Sequence, residues 1–121
     1  METALLNGKR EEDIMEAAAL LQAGGLVAIP TETVYGLAAN ALNGNAVKRI
    51  FEAKGRPQDN PLIVHIASLD TLPKLVASVP DEALALADRF WPGPLTIILP
   101  KASCIPDEVS AGLETVAVRF P

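Results

Sequence analysis

Residues 43–66, NGNAVKRIFEAKGRPQDNPLIVHI, decide the fold class because they join a helical pattern to a strand pattern through a short turn. The helix is predicted to begin after a cap at Asn43 or Asn45 and to end near Lys54. Three apolar residues recur on one face of that helix at helical spacing: Val47, Ile50 and Phe51. Residues 62–66 then form a continuous apolar run rich in β-branched residues, which is typical of a buried strand.

A second apolar run lies before this segment, at residues 26–29, and predicts another buried strand that ends at Pro30. Strand, helix and strand in this order predict a right-handed crossover that joins two parallel strands. Residues 11–23 predict an N-terminal helix, because apolar residues share one face of it and two glycines follow it.

The second half of the chain predicts two further helices, at residues 69–77 and 81–90, which Pro80 separates. Residues 95–99 and 116–120 predict two further strands. The pattern alone leaves open whether these two pair with each other or with the earlier strands. Mixed helices and strands of this kind predict an α/β domain with a twisted, mixed sheet and flanking helices.

The composition is that of a globular protein: of 121 residues, 50% are hydrophobic and 21% are charged, with a net charge of −5. No apolar run reaches the ~20 residues that span a bilayer, so we expect no membrane contact and a cytoplasmic location. Four of the ten basic residues nevertheless fall between Lys48 and Arg56. Such a patch indicates either a bound anion or the solvated face of a helix.

Two polar segments are candidates for ligand binding. Hydroxyls alternate at Thr31, Thr33 and Tyr35, so in an extended chain they would share one face that suits a small polar ligand. The same pattern is equally typical of a hairpin edge. Lys54 and Arg56 flank a glycine before a proline, a backbone that lets two cations converge on phosphate oxygens, although basic residues also favour helix ends.

Two further candidates lie in predicted strands. His65 interrupts an apolar strand, where a single histidine is more often structural than functional. Thr115, Ala117 and Arg119 alternate along the last strand and share one face, so Arg119 can meet either a ligand carboxylate or a surface salt-bridge partner. The phosphate loop, the dinucleotide fingerprint, the nucleophile elbow and Cys/His metal clusters are absent from the sequence.

Five segments occur together in one order: PTETVYGL at residues 30–37, KGRP at 54–57, NPL at 60–62, WPGPLT at 91–96 and VRFP at 118–121. In this order and spacing they resemble the signature of the YrdC family of threonylcarbamoyl-AMP synthases. The resemblance extends from about residue 11 to residue 121. It implies a YrdC-like α/β fold with a deep, positively lined cleft.

The resemblance also implies an activity, in which threonine, bicarbonate and ATP, with magnesium, are converted to threonylcarbamoyl-AMP and pyrophosphate. The carbamate formed from threonine would attack the α-phosphorus of ATP, so no covalent enzyme intermediate is needed. The product serves the threonylcarbamoyl modification of an adenosine in tRNA, which makes tRNA or double-stranded RNA a candidate partner.

The matching motifs carry over the site residues of the family. Lys54 and Arg56 resemble its phosphate-binding cations, which makes them the catalytic candidates, and Thr115 resembles a nucleotide contact. For threonine, the resemblance implies contacts or near neighbours at four residues: Thr31, Tyr35, His65 and Arg119. No residue resembles a protein ligand for a metal.

The family continues past the VRFP strand into a Ser-Ala-Asn segment and further strands. We therefore expect this chain to be the N-terminal portion, residues 1–121, of a single domain that is truncated at the C-terminus. Residues 116–120 would then have unpaired backbone groups that invite self-association, and the isolated chain would make no adenylate. Two alternatives are a double-stranded RNA-binding module, which the acidic charge disfavours, and the carbamoyl-adenylate-forming domain of hydrogenase maturation proteins.

Overall fold

A computed structural model describes residues 3–55, 57 and 60–121 of the chain. Along these residues the helices and strands are α1 (Glu11–Gln22), β1 (Val27–Ile29), β2 (Gly36–Ala38), α2 (Gly44–Lys54), β3 (Ile63–His65), α3 (Leu72–Leu75), α4 (Asp81–Phe90), β4 (Thr96–Pro100), α5 (Asp107–Ser110) and β5 (Thr115–Arg119). A short 3₁₀ turn, Leu69–Thr71, leads into α3. In the described part of the chain, none of the helices has the length and apolar character needed to cross a membrane.

The main sheet has three strands in the order β3–β5–β4 and is mixed, as predicted. β3 lies parallel to β5, with Val64 opposite Val118, while β4 lies antiparallel to β5, with Ile97 opposite Val118. These three residues are buried, and the residues before and after each of them lie on the other face. One face of the sheet therefore belongs to the core, and the opposite face carries half-buried and exposed residues.

The second helix shows how the core is built from the sequence pattern. The Asn43 side chain caps α2 by accepting a backbone hydrogen bond of 3.2 Å, and the helix ends at Gly55 in the left-handed conformation, φ 64°. Its predicted inner face is confirmed, because Val47, Ile50 and Phe51 are buried. Burial stabilises each such side chain by about 1.5–3 kcal/mol relative to exposure. Further core residues are Ile66, Leu72, Leu75, Val76, Ala83, Ala87, Trp91, Leu99, Ile105, Val109 and Val116.

The turn between α4 and β4 is tied to the end of β5. The Trp91–Pro92 peptide bond is cis, and the Trp91 indole donates a hydrogen bond of 2.7 Å to the carbonyl four residues further on. The Gly93 amide donates one of 2.7 Å to the carbonyl of Phe120. A side chain at Gly93 would come within 2.6 Å of the Phe90 carbonyl oxygen, so only glycine fits without movement of the backbone.

Residues 3–42, called the N-terminal unit below, pack in a different way. Here β1 and β2 form a two-stranded antiparallel sheet of their own, in which Ile29 lies opposite Gly36. Gly24 is the only buried residue within this fully described range, and α1 has no buried residue at all. The unit therefore adds almost nothing to the core.

The strand pairing predicted for β1 is wrong, and one predicted helix ends early. β1 is not the parallel partner of β3, because it pairs with β2, which is close in sequence and needs a connection of only residues 30–35. The helical stretch predicted at residues 69–77 is present as the 3₁₀ turn followed directly by α3, but it ends at Leu75, because the backbone of Val76 pairs with Lys101.

The expectation of an unpaired last strand is also wrong. β5 is the central strand of the main sheet and is hydrogen-bonded to β3 on one side and to β4 on the other. The strand predicted at residues 95–99 thus pairs with the one predicted at residues 116–120, which settles the question that the pattern left open. The outer edges of this sheet belong to β3 and β4.

Candidate functional site

The exposed face of the main sheet carries a row of three polar side chains, one from each strand. His65 of β3 and Thr96 of β4 both lie opposite Arg119 of β5, on its two sides. Strand alternation puts this row away from the core, because the neighbouring Val64 and Val118 point inward and are buried. The fold therefore brings together two predicted site residues that lie far apart in the sequence, His65 and Arg119.

Side chains hold the Arg119 guanidinium from two directions. Its Nε and Nη2 donate hydrogen bonds of 3.1 and 2.8 Å to the Thr96 hydroxyl, and its Nη1 donates one of 2.9 Å to Glu32 Oε1. The side chains of Arg119 and Glu32 are 19% and 17% exposed, so water and salt screen this ion pair less than a surface pair. With described partners on three of the five guanidinium N–H groups, one on each of Nη1 and Nη2 remains for a ligand.

Glu32 reaches Arg119 from the loop between β1 and β2, across 87 residues of sequence. Thr31 organises this loop: its hydroxyl donates to the Val34 carbonyl and accepts from the Thr33 amide at 3.2 Å. Residues 31–35 are thus bent, and the single face that the three hydroxyls would share in an extended chain does not form. A threonine hydroxyl that bonds to nearby backbone groups stabilises a turn at the expense of a strand. Thr31 keeps a role in shaping the loop, with its hydroxyl proton already donated.

Two other predicted contacts, Tyr35 and Thr115, are not among the described hydrogen-bond partners of Arg119. Tyr35 follows the turn and is 75% exposed. Thr115 lies on the same sheet face as Arg119 but four residues earlier in β5, which is about 13 Å along a strand. A ligand that touches both Thr115 and Arg119 must therefore extend along the sheet.

Lys54 is exposed at the end of α2, beside a groove of about 460 Å³. The groove is lined by Ile50, Phe51, Lys54, Pro57, Asn60, Pro61 and Leu62. Its lining runs from the predicted phosphate-binding segment to the residue before β3. Arg56, the other predicted phosphate-binding cation, lies outside the described residues.

The charges of the site act on His65. Partial burial lowers the pKa of its imidazole below the usual 6.5; the Glu32 carboxylate opposes this lowering, and the Arg119 cation adds to it. His65 is therefore mainly neutral at pH 7, and a neutral imidazole has one ring nitrogen that accepts a hydrogen bond or a proton. Glu32, His65 and Arg119 form one electrostatic cluster.

A second polar contact, between Lys101 and α5, has a structural role. The Lys101 ammonium donates hydrogen bonds of 2.8 Å both to Asp107 and to Ser110, which is 1% exposed. Because Ser110 is buried and its hydroxyl is bonded to Lys101, the hydroxyl is closed to a substrate from solvent. Among the residues described, no group of three or more His, Cys, Asp or Glu side chains is placed to bind a metal ion.

Comparison with known families identifies the fold. The family model Sua5_yciO_yrdC, described as telomere recombination, matches residues 19–121. This chain belongs to the Sua5/YciO/YrdC family. The resemblance stated from the five sequence segments is thereby confirmed.

Relatives within the Sua5/YciO/YrdC family match nearly all of the chain. The threonylcarbamoyl-AMP synthases of Pyrococcus abyssi and Bacillus subtilis are 62% and 58% identical to it over 111 and 112 residues. Each match covers 92% of this chain but 33% and 32% of the relative, so the chain spans about a third of their length. The solved structure of P. abyssi Sua5 complexed with L-threonine has a TM-score of 0.90 and 62% identity, covering 93% of this chain and 34% of that one.

The sequence predictions miss both side chains that accept hydrogen bonds from Arg119, Glu32 and Thr96. Both lie within segments that carry the Sua5/YciO/YrdC resemblance, PTETVYGL and WPGPLT. A signal for Glu32 existed, since it is the only charged residue of its segment, set among hydroxyls. Its pairing with Arg119 depends on how the loop folds back over the sheet, and no local pattern encodes that.

Proposed function

We propose that this chain is the threonine-binding, N-terminal portion, residues 1–121, of a single threonylcarbamoyl-AMP synthase domain. The observation that carries the proposal is Arg119, which Thr96 holds in one orientation on the exposed sheet face. A guanidinium fork suits a carboxylate, and a solved relative with the same fold is complexed with L-threonine. Three further residues are proposed to complete the amino-acid site: Thr31, Tyr35 and His65.

The proposed reaction converts threonine, bicarbonate and ATP into threonylcarbamoyl-AMP, pyrophosphate and water, for the later modification of tRNA in the cytoplasm. Lys54 and Arg56 would neutralise phosphate charge as pyrophosphate leaves, and Thr115 would contact the nucleotide. The described residues offer no carboxylate cluster for magnesium, so this ion would enter with the ATP phosphates. Self-association is proposed through the β3 or β4 edge, since β5 is paired on both sides.

Titration of the chain with L-threonine in a calorimeter tests the amino-acid site. We expect Arg119→Gln to weaken binding by about tenfold to a hundredfold, because a hydrogen bond between charged groups is lost. Arg10→Gln is the matched control, since Arg10 pairs with Glu12 on the exposed surface of α1. L-Valine, which lacks the hydroxyl, should bind more weakly than L-threonine.

Two outcomes of this titration would contradict the proposal. One is equal affinity of the unaltered chain for threonine and valine. The other is unchanged affinity for threonine in Arg119→Gln, which would show that Arg119 serves only to hold Glu32 and Thr96.

A further inference from the structure

Glu32 places a carboxylate beside the cation that is proposed to bind the threonine carboxylate. We propose that Glu32 is the residue that binds the ammonium group of that amino acid. The inference rests on the proposed threonine site, and it gives a ligand contact to a residue that the sequence motifs left without a role.

The geometry of the ion pair matches that of a free amino acid. Glu32 Oε1 and Arg119 Nη1 lie 2.9 Å apart. The N–Cα and Cα–C bonds of an α-amino acid, about 1.46 and 1.52 Å long, hold its ammonium nitrogen roughly 3 Å from the nearer carboxylate oxygen. Because Glu32 is bonded at Nη1, a ligand carboxylate on the remaining N–H groups of Nη1 and Nη2 can bring its ammonium group beside Glu32.

Charge balance favours this arrangement over a bound carboxylate alone. A ligand with only a carboxylate would place a second anion next to Glu32 on a single, largely buried cation, and the two anions would repel each other. With an ammonium group present, four charges alternate around the site, and each has an oppositely charged neighbour. The pair of Glu32 and Arg119 therefore selects a zwitterion over a simple carboxylic acid.

Two other roles for Glu32 lead to different results on substitution. Glu32 could occupy Arg119 until a substrate carboxylate displaces it, in which case neutralising Glu32 would tighten threonine binding. Glu32 could instead only hold the loop and Arg119 in place. In that case its loss would weaken the binding of every carboxylate ligand equally. If Glu32 instead contacts the ammonium group as proposed, its loss weakens the binding only of ligands that have an amine.

The test compares two ligands on two proteins by ligand-observed NMR titration. The ligands are L-threonine and 3-hydroxybutyrate, which is threonine without its amine, and the proteins are the unaltered chain and Glu32→Gln. We expect Glu32→Gln to bind threonine about tenfold to a hundredfold more weakly, since a hydrogen bond between charged groups is lost. Binding of 3-hydroxybutyrate should stay equal or become tighter, because a repelling anion is removed.

Control variants separate this effect from damage to the fold. Glu12→Gln makes the same change in the exposed Arg10–Glu12 ion pair and should leave both affinities unchanged. If Glu32→Gln fails to fold, Glu32→Asp serves in its place, because it keeps the charge but shortens the reach of the side chain. It too should weaken the binding of threonine and not that of 3-hydroxybutyrate.

The remaining outcomes each overturn the inference in a recognisable way. Equal weakening of both ligands would assign Glu32 to holding the loop, and tighter threonine binding would assign it to occupying Arg119. If the unaltered chain binds neither ligand, the proposed threonine site itself fails, and the role of Glu32 fails with it.

Discussion

The N-terminal unit and residues 43–121 differ in what stabilises each of them. All the described buried apolar side chains belong to the second region, between Ala46 and Val118, whereas Gly24 is the only buried residue of the first. Polar contacts join the two regions: Arg49 donates a hydrogen bond of 2.7 Å to the Gly24 carbonyl, and Arg119 pairs with Glu32.

This contrast separates the parts of the candidate site by how firmly they are held. Arg119, His65 and Thr96 lie on strands whose other face is packed in the core, so their backbone positions are as stable as the core itself. Glu32 and Thr31 lie on a loop of a unit in which Gly24 is the only fully buried residue. Segments with few buried contacts open at lower free energy than the core. We therefore expect substitutions in the N-terminal unit to change ligand affinity at the candidate site more than they change the free energy of unfolding.

The largest expected effect is a difference in unfolding free energy between two leucine substitutions. Leu72→Ala should destabilise the chain by about 2–5 kcal/mol, because Leu72 is 1% exposed and its removal leaves a cavity. Leu20→Ala, in α1, should change stability by less than about 0.5 kcal/mol, because Leu20 is 41% exposed. Urea unfolding followed by circular dichroism measures both, and a Leu20 cost near that of Leu72 would show that the N-terminal unit buries its apolar residues.

A smaller difference is expected between two glycine substitutions. Gly93→Ala should destabilise by about 1–3 kcal/mol, because the added methyl group would meet the Phe90 carbonyl oxygen at 2.6 Å and displace the turn that is bonded to β5. Gly36→Ala, in β2, should be nearly neutral, since no atom lies within 4 Å of the added group. The same urea experiment measures both. Equal losses of stability at the two positions would mean that the surroundings of Gly36 are packed as tightly as those of Gly93.

The sequence predicts features that depend on neighbouring residues better than features that depend on residues far apart in the chain. The bounds of α2 and α4 are predicted well, because Asn43, Gly55 and Pro80 mark their ends, and apolar spacing also predicts the inner face of α2. Strand alternation also predicts that Arg119 shares a face with Thr115, opposite the buried Val118. These features depend on neighbours within a few residues.

The failures involve partners that are far apart in sequence or compete with local hydrogen bonds. The partner of β1 was predicted wrongly because an apolar run does not specify which strand it pairs with. The hydrogen bonds of the Thr31 hydroxyl are not predicted, because hydroxyl spacing does not show whether the side chain bonds to the backbone. The contact between Glu32 and Arg119 requires two segments 87 residues apart to meet, and only the folded chain shows it.

The smallest expected effect is a shift in the titration of His65, and it tests the ion pair that joins the two regions. His65 is the only histidine of the chain, so its imidazole signals in proton NMR are assigned without ambiguity. Its pKa should lie below 6.5, because partial burial and Arg119 disfavour the charged form while Glu32 favours it. The stability contributed by neutral His65 is therefore present above pH 6.5 and is lost as the pH falls through its lowered pKa. Among the described residues Glu32 is the anion that raises this pKa, so Glu32→Gln should lower the pKa further, whereas Glu12→Gln on α1 should leave it unchanged. A pKa that rises or stays constant in Glu32→Gln would show that the loop of the N-terminal unit does not hold Glu32 beside the sheet, and that the two regions are not joined by this ion pair in solution.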